Sequence, residues 1–311
     1  NYSELPFNFG ISGNSISPDL STTPGPRNVG YSHFTVPFAT ASPSLGSPVS
    51  LAWDLNGDVW ISGSDLVSFD GLNMNPYNST NSPLPSNGLT TSFIEITENG
   101  GRFIGIKGTG TPLVYWNERD SSLNNVYTIS DFADNQGNPV LTSSIVDFNL
   151  MEENPSTNDL FIACAEYGSP GQNGLLFYCA SENSWRLYTT LNSDLPSGNI
   201  RDLRIRYYSD NEWYLWIATD NGVARFDGID FRIYNTGNSG LPDNDVYSIE
   251  LDKLGHIWFG TMNNLVYYDY NRWSVWNNGT NPDLFPGAII DIVETNNANI
   301  WFILDGGSPS N

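Results

Sequence analysis

The sequence predicts an all-β fold, a single six-bladed β-propeller of four-stranded antiparallel blades, and three observations predict it. Paired apolar strands recur along the chain, and the second strand of each pair carries one aromatic anchor near its start. The anchors are Trp60, Phe103, Phe161, Trp216, Trp258 and Trp301, separated by 43, 58, 55, 42 and 43 residues. A period near 43 is the length of one four-stranded blade, and the two longer intervals need only loop insertions. A corner of the form Asn-Ser-x-Leu-Pro begins at Asn81, Asn192 and Asn238. Charged residues are 15% and aromatics 14% of the chain, which also holds 29 Gly and 19 Pro. That balance suits short strands and many turns, and no stretch shows apolar residues at helical spacing.

Each unit runs strand, polar turn, anchor strand, tight turn, third strand, fourth strand. Third strands read LVSFD, LVYWN, LLFYC, VARFD and LVYYD; fourth strands read LNMNPYN, VYTIS, WRLYTT, FRIYN and RWSVW. Anchor strands such as IWFGT and LWIAT are apolar on both faces. A sheet packed between two neighbours requires this, whereas a half-exposed sheet would alternate. The tryptophans at 185, 273 and 276 fall on fourth strands and are expected in the core. The sixth unit stops after GAIIDIVE and NIWFILD, where Asp305 matches the turn at Asp220. Two segments near the N-terminus, residues 28–33 and 34–38, are expected to supply the missing strands and close the ring, removing its exposed edges. The propeller then spans residues 28–311, and residues 1–27, rich in Pro, Ser and Gly, read as an extended arm or linker. In the third blade the hairpin puts Cys164 opposite roughly Gly174, too far from Cys179 for a disulfide, so two free and largely buried thiols are expected.

The formal net charge is −22. Such a surface repels phosphate backbones and anionic lipid heads, which argues against nucleic acid and membrane-surface partners and leaves cationic ones compatible. Acidity also keeps a secreted or salt-tolerant protein soluble. No apolar run is long enough to span a bilayer as a helix. The chain begins at Asn1 without Met, as expected of a processed protein or a piece of a larger one.

The repeat resembles the two-component regulator propeller repeat. Residues 238–269 carry the resemblance best, with Leu241-Pro242, Val246, Ile249, Asp252, Gly255, Ile257-Trp258-Phe259-Gly260-Thr261 and Leu265 to Asp269. The fourth blade keeps Leu195-Pro196, Ile200, Leu203, Trp216 and Gly222, and the first keeps Asp54, Gly57, Trp60 and Gly63. The resemblance implies a propeller and, in many relatives, an extracytoplasmic sensor of carbohydrates; similar blades also occur in secretion-machinery, cell-surface and virion proteins. One propeller without a kinase departs from the receptor pattern. The reading is therefore a non-enzymatic, extracytoplasmic module for a protein partner or larger assembly. A carbohydrate-sensing domain, with a glycan as ligand, and a propeller glycosidase or lyase are the alternatives.

Motifs for chemistry are few. DLNGD (Asp54 to Asp58) begins like a calcium loop but lacks its Gly and closing Glu, so it reads as a hairpin turn. DFADNQGN, from Asp131 to Asn138, is an acidic loop that could take calcium. The two histidines, His33 and His256, form no metal cluster with the cysteines, and His256 reads as a turn-edge residue. No nucleophile elbow or catalytic triad is evident, KGTG at Lys107 precedes no helix, and neither cofactor nor metal is expected. A carboxylate pair could meet in the central channel, though no pair stands out. What remains is one face of loops, those joining fourth to first and second to third strands. Tyr167, Asp220, Asn221, Asn263, Asn264 and Asp305 are its candidate ligand or partner residues. Most of these Asn and Asp residues would also be there as turn formers.

Overall fold

The computed structural model describes residues 50–87, 89–97, 100–141, 146–166, 173–209, 212–277, 279–280, 286–295 and 299–306. The first sheet holds β1 (Ser50–Trp53), β2 (Val59–Ser62), β3 (Leu66–Phe69) and β4 (Met74–Tyr77). The second holds β5 (Thr91–Ile96), β6 (Arg102–Ile106), β7 (Leu113–Trp116) and β8 (Asn125–Tyr127). The third holds β9 (Val146–Asn154), β10 (Asp159–Glu166), β11 (Gly174–Cys179) and β12 (Ser184–Thr189). The fourth holds β13 (Ile200–Ser209), β14 (Glu212–Thr219), β15 (Gly222–Phe226) and β16 (Phe231–Tyr234). The fifth holds β17 (Val246–Leu251), β18 (Ile257–Thr261), β19 (Asn264–Tyr268) and β20 (Trp273–Asn277). β21 (Gly287–Glu294) and β22 (Ile300–Gly306) make a two-stranded sixth.

Every sheet keeps chain order, and all pairings are antiparallel. The first strands pack side by side in succession: β1 on β5, β5 on β9, β9 on β13, β13 on β17 and β17 on β21. Sheets thus stack face to face around an axis lined by first strands, which is a β-propeller. The expected closure by residues 28–38, and the arm before it, lie outside the described residues.

The core lies between sheets. Phe161, Leu175 and Phe177 of the third sheet meet Leu203, Leu215 and Ile217 of the fourth. Trp216, Ala218 and Val223 of the fourth meet Ile249, Ile257 and Phe259 of the fifth. Close stacking explains the small residue after the anchor. A Cβ on Gly260 would stand 2.3 Å from the Ile289 carbonyl oxygen of the next sheet. Ala218 and Ser62 hold that place in the fourth and first sheets.

The recurring corner is a hydrogen-bond device. At Asn238 the side-chain oxygen accepts from the Asn235 N–H (2.8 Å) and the amide donates to the Ile233 carbonyl (3.1 Å). Ser239 Oγ donates to the Asn235 carbonyl and accepts from the Leu241 N–H. The same four bonds form at Asn192-Ser193 and at Asn81-Ser82. Leu84, Leu195 and Leu241, which follow, are buried. The corner satisfies the end of one outer strand and inserts a leucine between sheets.

The acidic residue ahead of the anchor is also structural. Asp54 Oδ1 accepts from the Asn56 and Asp58 N–H groups, and Oδ2 accepts from Trp60 Nε1 at 3.0 Å. Asp252 repeats this with His256 and Trp258. DLNGD is thus a hairpin turn closed by its own carboxylate, with Gly57 at φ 89° as the turn demands. Asp134 closes DFADNQGN in the same way, through Gln136 and Asn138.

Cys164 pairs with Gly174 in the β10–β11 ladder, and neither Cys164 nor Cys179 forms a disulfide. Cys179 is half-buried rather than buried, because it ends β11 beside the exposed turn at Ser181. Trp185 is buried, whereas Trp273 and Trp276 are only half-buried, stacked on Tyr268 and Trp258 at the outer rim.

Candidate functional site

The loops joining fourth to first strands and those joining second to third strands meet on one face, as expected. Asn221 Nδ2 donates to the Pro196 carbonyl of the corner beside it, and Asn199 Nδ2 donates to Asp220 Oδ2 at 2.8 Å. Burial raises the Asp220 carboxyl, but hydrogen bonds from Ser197 and Asn199 and the charge of Arg201 outweigh it and hold the group below the usual range. Asn263, at φ 63°, accepts from the Gly287 N–H and gives its own N–H to the Gly287 carbonyl. Asn264 donates to Thr261 Oγ1 and to the Met262 carbonyl, and accepts from Asn277. These four predicted residues share a face, with their side chains engaged in holding its loops together. Asp305 departs from its predicted place. It pairs with Ala288 inside β22, because the ladder with β21 continues to Gly306 instead of breaking into a turn. Tyr167 lies outside the described residues.

The feature that sequence reasoning did not single out lies in the channel. In each sheet one first-strand residue pairs with the anchor: Ala52, Glu95, Glu152, Arg204, Glu250 and Val293. Four of the six are charged. β-bulges at Ile200/Asp202 and Ile289/Asp291 re-aim Asp202 and Asp291, whose Oδ1 atoms accept from the next backbone N–H. Asp202 Oδ2 also accepts from Ile249 N–H of the fifth sheet. Five carboxylates, Glu95, Glu152, Asp202, Glu250 and Asp291, thus face one guanidinium. Arg204 Nη1 lies 2.8 Å from Asp202 Oδ1, 3.5 Å from Glu152 Oε1 and 2.7 Å from the Leu203 carbonyl; its Nε lies 3.6 Å from Glu250 Oε2.

One cation cannot neutralise five anions. Burial deep in the ring pushes Glu152 up to about 8 and Glu95 up to about 7, against the attraction of Arg204. Asp202 and Glu250 are raised for the same reason. The side chains still touch channel water, with 19% of Glu152 and 33% of Arg204 exposed, so screening moderates these charges. Among the described residues no group of three or more His, Cys, Asp or Glu is arranged to hold a metal ion.

Stacked four-stranded sheets around a charged channel define the class of protein, a β-propeller. Residues 240–263, from the fifth corner through β18, match the family described as two component regulator propeller, so the chain carries a repeat of that family. A search of the curated proteins found no match. Solved structures resemble the chain in fold. Virginiamycin B lyase from Staphylococcus aureus, solved as an inactive variant with quinupristin, shares 14% identity over 85% of this chain and 80% of that one, with TM-score 0.59. PorZ, a surface component of the type-IX secretion system of Porphyromonas gingivalis, shares 15% over 80% of this chain and 36% of its own, with TM-score 0.57. The extracellular domain assigned to the hybrid two component system BT3049 of B. thetaiotaomicron shares 17% over 84% of this chain and 38% of its own, with TM-score 0.45. This chain therefore spans little more than a third of the latter two.

Proposed function

We propose that the chain is a non-enzymatic binding and assembly module that acts outside the cytoplasm and engages a protein partner. The observation that carries this reading is the place of Arg204. The guanidinium occupies the middle of the channel carboxylates, where a substrate bond would have to lie. The Asn221, Asn263 and Asn264 side chains of the loop face are likewise engaged with neighbouring backbone, and Asp220 with Asn199. Contact surface remains, and reactive groups do not converge on it. PorZ, a surface component of a secretion system, supports an extracytoplasmic place for such a propeller. Photo-reactive residues at exposed Leu191 and Met262, in loops of the face described above, and at Leu254, in a first-to-second strand turn, test it in the source cell. A protein adduct of one mass at one of the three positions is expected. No adduct at any of them, with a specific hit on a glycan array, would overturn the reading.

One observation favours acid–base catalysis instead. Glu152 and Asp202 reach the same Arg204 nitrogen, at 3.5 and 2.8 Å, so these oxygens lie no more than about 6 Å apart, a range that includes the ~5–5.5 Å of a retaining glycosidase pair, and Glu152 holds its proton near neutral pH. Turnover of glycosides or polyuronides that disappears in Glu152→Gln would establish that alternative. Equal inactivity of both proteins is the expected result.

A further inference from the structure

A cleft of about 290 Å³ opens on the outer rim between the corner at Asn192 and the β15–β16 turn. Its floor is aromatic. The Tyr188 and Phe231 rings meet edge to face at 5.4 Å, and both pack on Phe226, at 5.1 and 4.5 Å. One wall is Ile229, 79% exposed. Asn192 and Ser193 line it with side chains already engaged in the corner. The carboxylates of Asp194 and Asp230 also line it, both exposed, and neither has an ion pair or side-chain hydrogen bond among the described residues. Arg186 of β12 is paired with Glu182 and bonded to the Tyr188 hydroxyl at the edge of the cleft, and Arg232 lies over Tyr234.

The cleft depends on the residue at the third position of the corner. The third position of the corner makes none of its four hydrogen bonds, and it is Pro83, Asp194 or Gly240. At Gly240 a Cβ would stand 2.3 Å from Trp273 Cβ, so there the residue corresponding to Phe231 fills the space. The fold does not require an open aromatic cleft with two unpaired acids. At the lower end of ligand-pocket sizes, roughly 300 Å³, it accommodates a side chain better than an extended ligand.

We propose that this cleft takes an arginine or lysine side chain of the protein partner. The cation lies over the aromatic floor, its methylenes pack on Ile229, and Asp194 and Asp230 accept its N–H groups. A chain of net charge −22 draws such a segment to its surface, and the two acids give it one place to stop. The proposal rests on the reading of the chain as an interaction module and names the chemistry of the partner at one surface.

The test is an NMR titration of the whole chain with acetyl-Ser-Arg-Gly-Arg-Ser-amide and with its citrulline counterpart. Shifts confined to Asp194, Ile229, Phe231 and their neighbours are expected with the arginine peptide. Citrulline, or the double change Asp194→Asn/Asp230→Asn, weakens binding by about fivefold or more, as the loss of two exposed charge contacts beside an aromatic face implies. The equal charge change Asp65→Asn/Asp305→Asn, on the first and sixth sheets, leaves it within about twofold. Shifts spread over the acidic surface and weakened equally by both double variants would overturn the proposal, as would none up to about 10 mM peptide. A cellular adduct at Leu254 or Met262 but not at Leu191 also counts against the cleft, while the interaction reading stands.

Discussion

Replacing Arg204 by methionine lowers the stability of the propeller by about 3–5 kcal/mol near neutral pH, the cost of removing one partner from a buried ion cluster. The reason is local. Asp202 and Glu152 both face Arg204 Nη1, and Glu250 faces its Nε. Without the guanidinium they face one another, and Asp202 also carries the Ile249 N–H bond that ties the fourth sheet to the fifth. Methionine keeps much of the side-chain volume, so lost packing contributes little. Urea denaturation checks the result, and a second measurement near pH 5 separates charge from shape. There Glu95 and Glu152, with folded values of about 7 and about 8, are protonated, and part of the loss should be recovered. A deficit that is the same at both pH values would mean that Arg204 acts by packing.

The stability of the unaltered protein falls as the pH rises from about 4.5 to about 8. Glu95 and Glu152 have folded pKa values of about 7 and about 8, above the ordinary 4.5. An acid with a raised folded pKa holds its proton more tightly when folded. Below pH 4.5 both states are protonated and no penalty arises. Above the folded pKa both states are ionised and the penalty is complete. Each unit is worth about 1.4 kcal/mol, and channel water reduces the sum, so a loss of roughly 2–4 kcal/mol across the window is expected. Glu152→Gln removes much of that slope, and the variant is more stable than the parent near pH 8. Denaturation at half-unit pH steps decides it, and a parent curve flat between pH 5 and 8 would refute it. Below pH 4 the sign reverses, because Asp54 and Asp220, held low by hydrogen bonds despite their burial, must then be protonated.

The blades were legible because the corner and the anchor are local devices. Asn238 and Ser239 bond within five residues of themselves, and Asp54 reaches Trp60 six residues on. Cys164 opposite Gly174 followed from matching Phe161 to Trp216 and Leu175 to Val223 of the next blade. The channel was hidden because its residues are defined by pairing. The partner of the anchor lies eight residues before it in Glu95, Glu250 and Val293, but nine before it in Glu152 and twelve in Arg204, where the hairpins are longer. A fixed offset misses the one arginine that organises the cluster, and the bulges at Asp202 and Asp291 add a register shift that hydropathy does not reveal. The loop face was legible in part, since its Asn residues read both as candidate contacts and as turn formers. Asn221, Asn263 and Asn264 looked available because they are polar and sit in turns, yet each is held by neighbouring backbone.

The third position of the corner bears on how such chains diversify. Asn and Ser on one side and Leu and Pro on the other make the bend, and Pro, Asp and Gly are all tolerated between them. At the corners that begin at Asn81 and Asn192 this position can be altered by selection without touching the bonds that make the bend, whereas at Gly240 the Trp273 side chain closes it. A lineage can acquire a new contact at one such junction while the others stay silent.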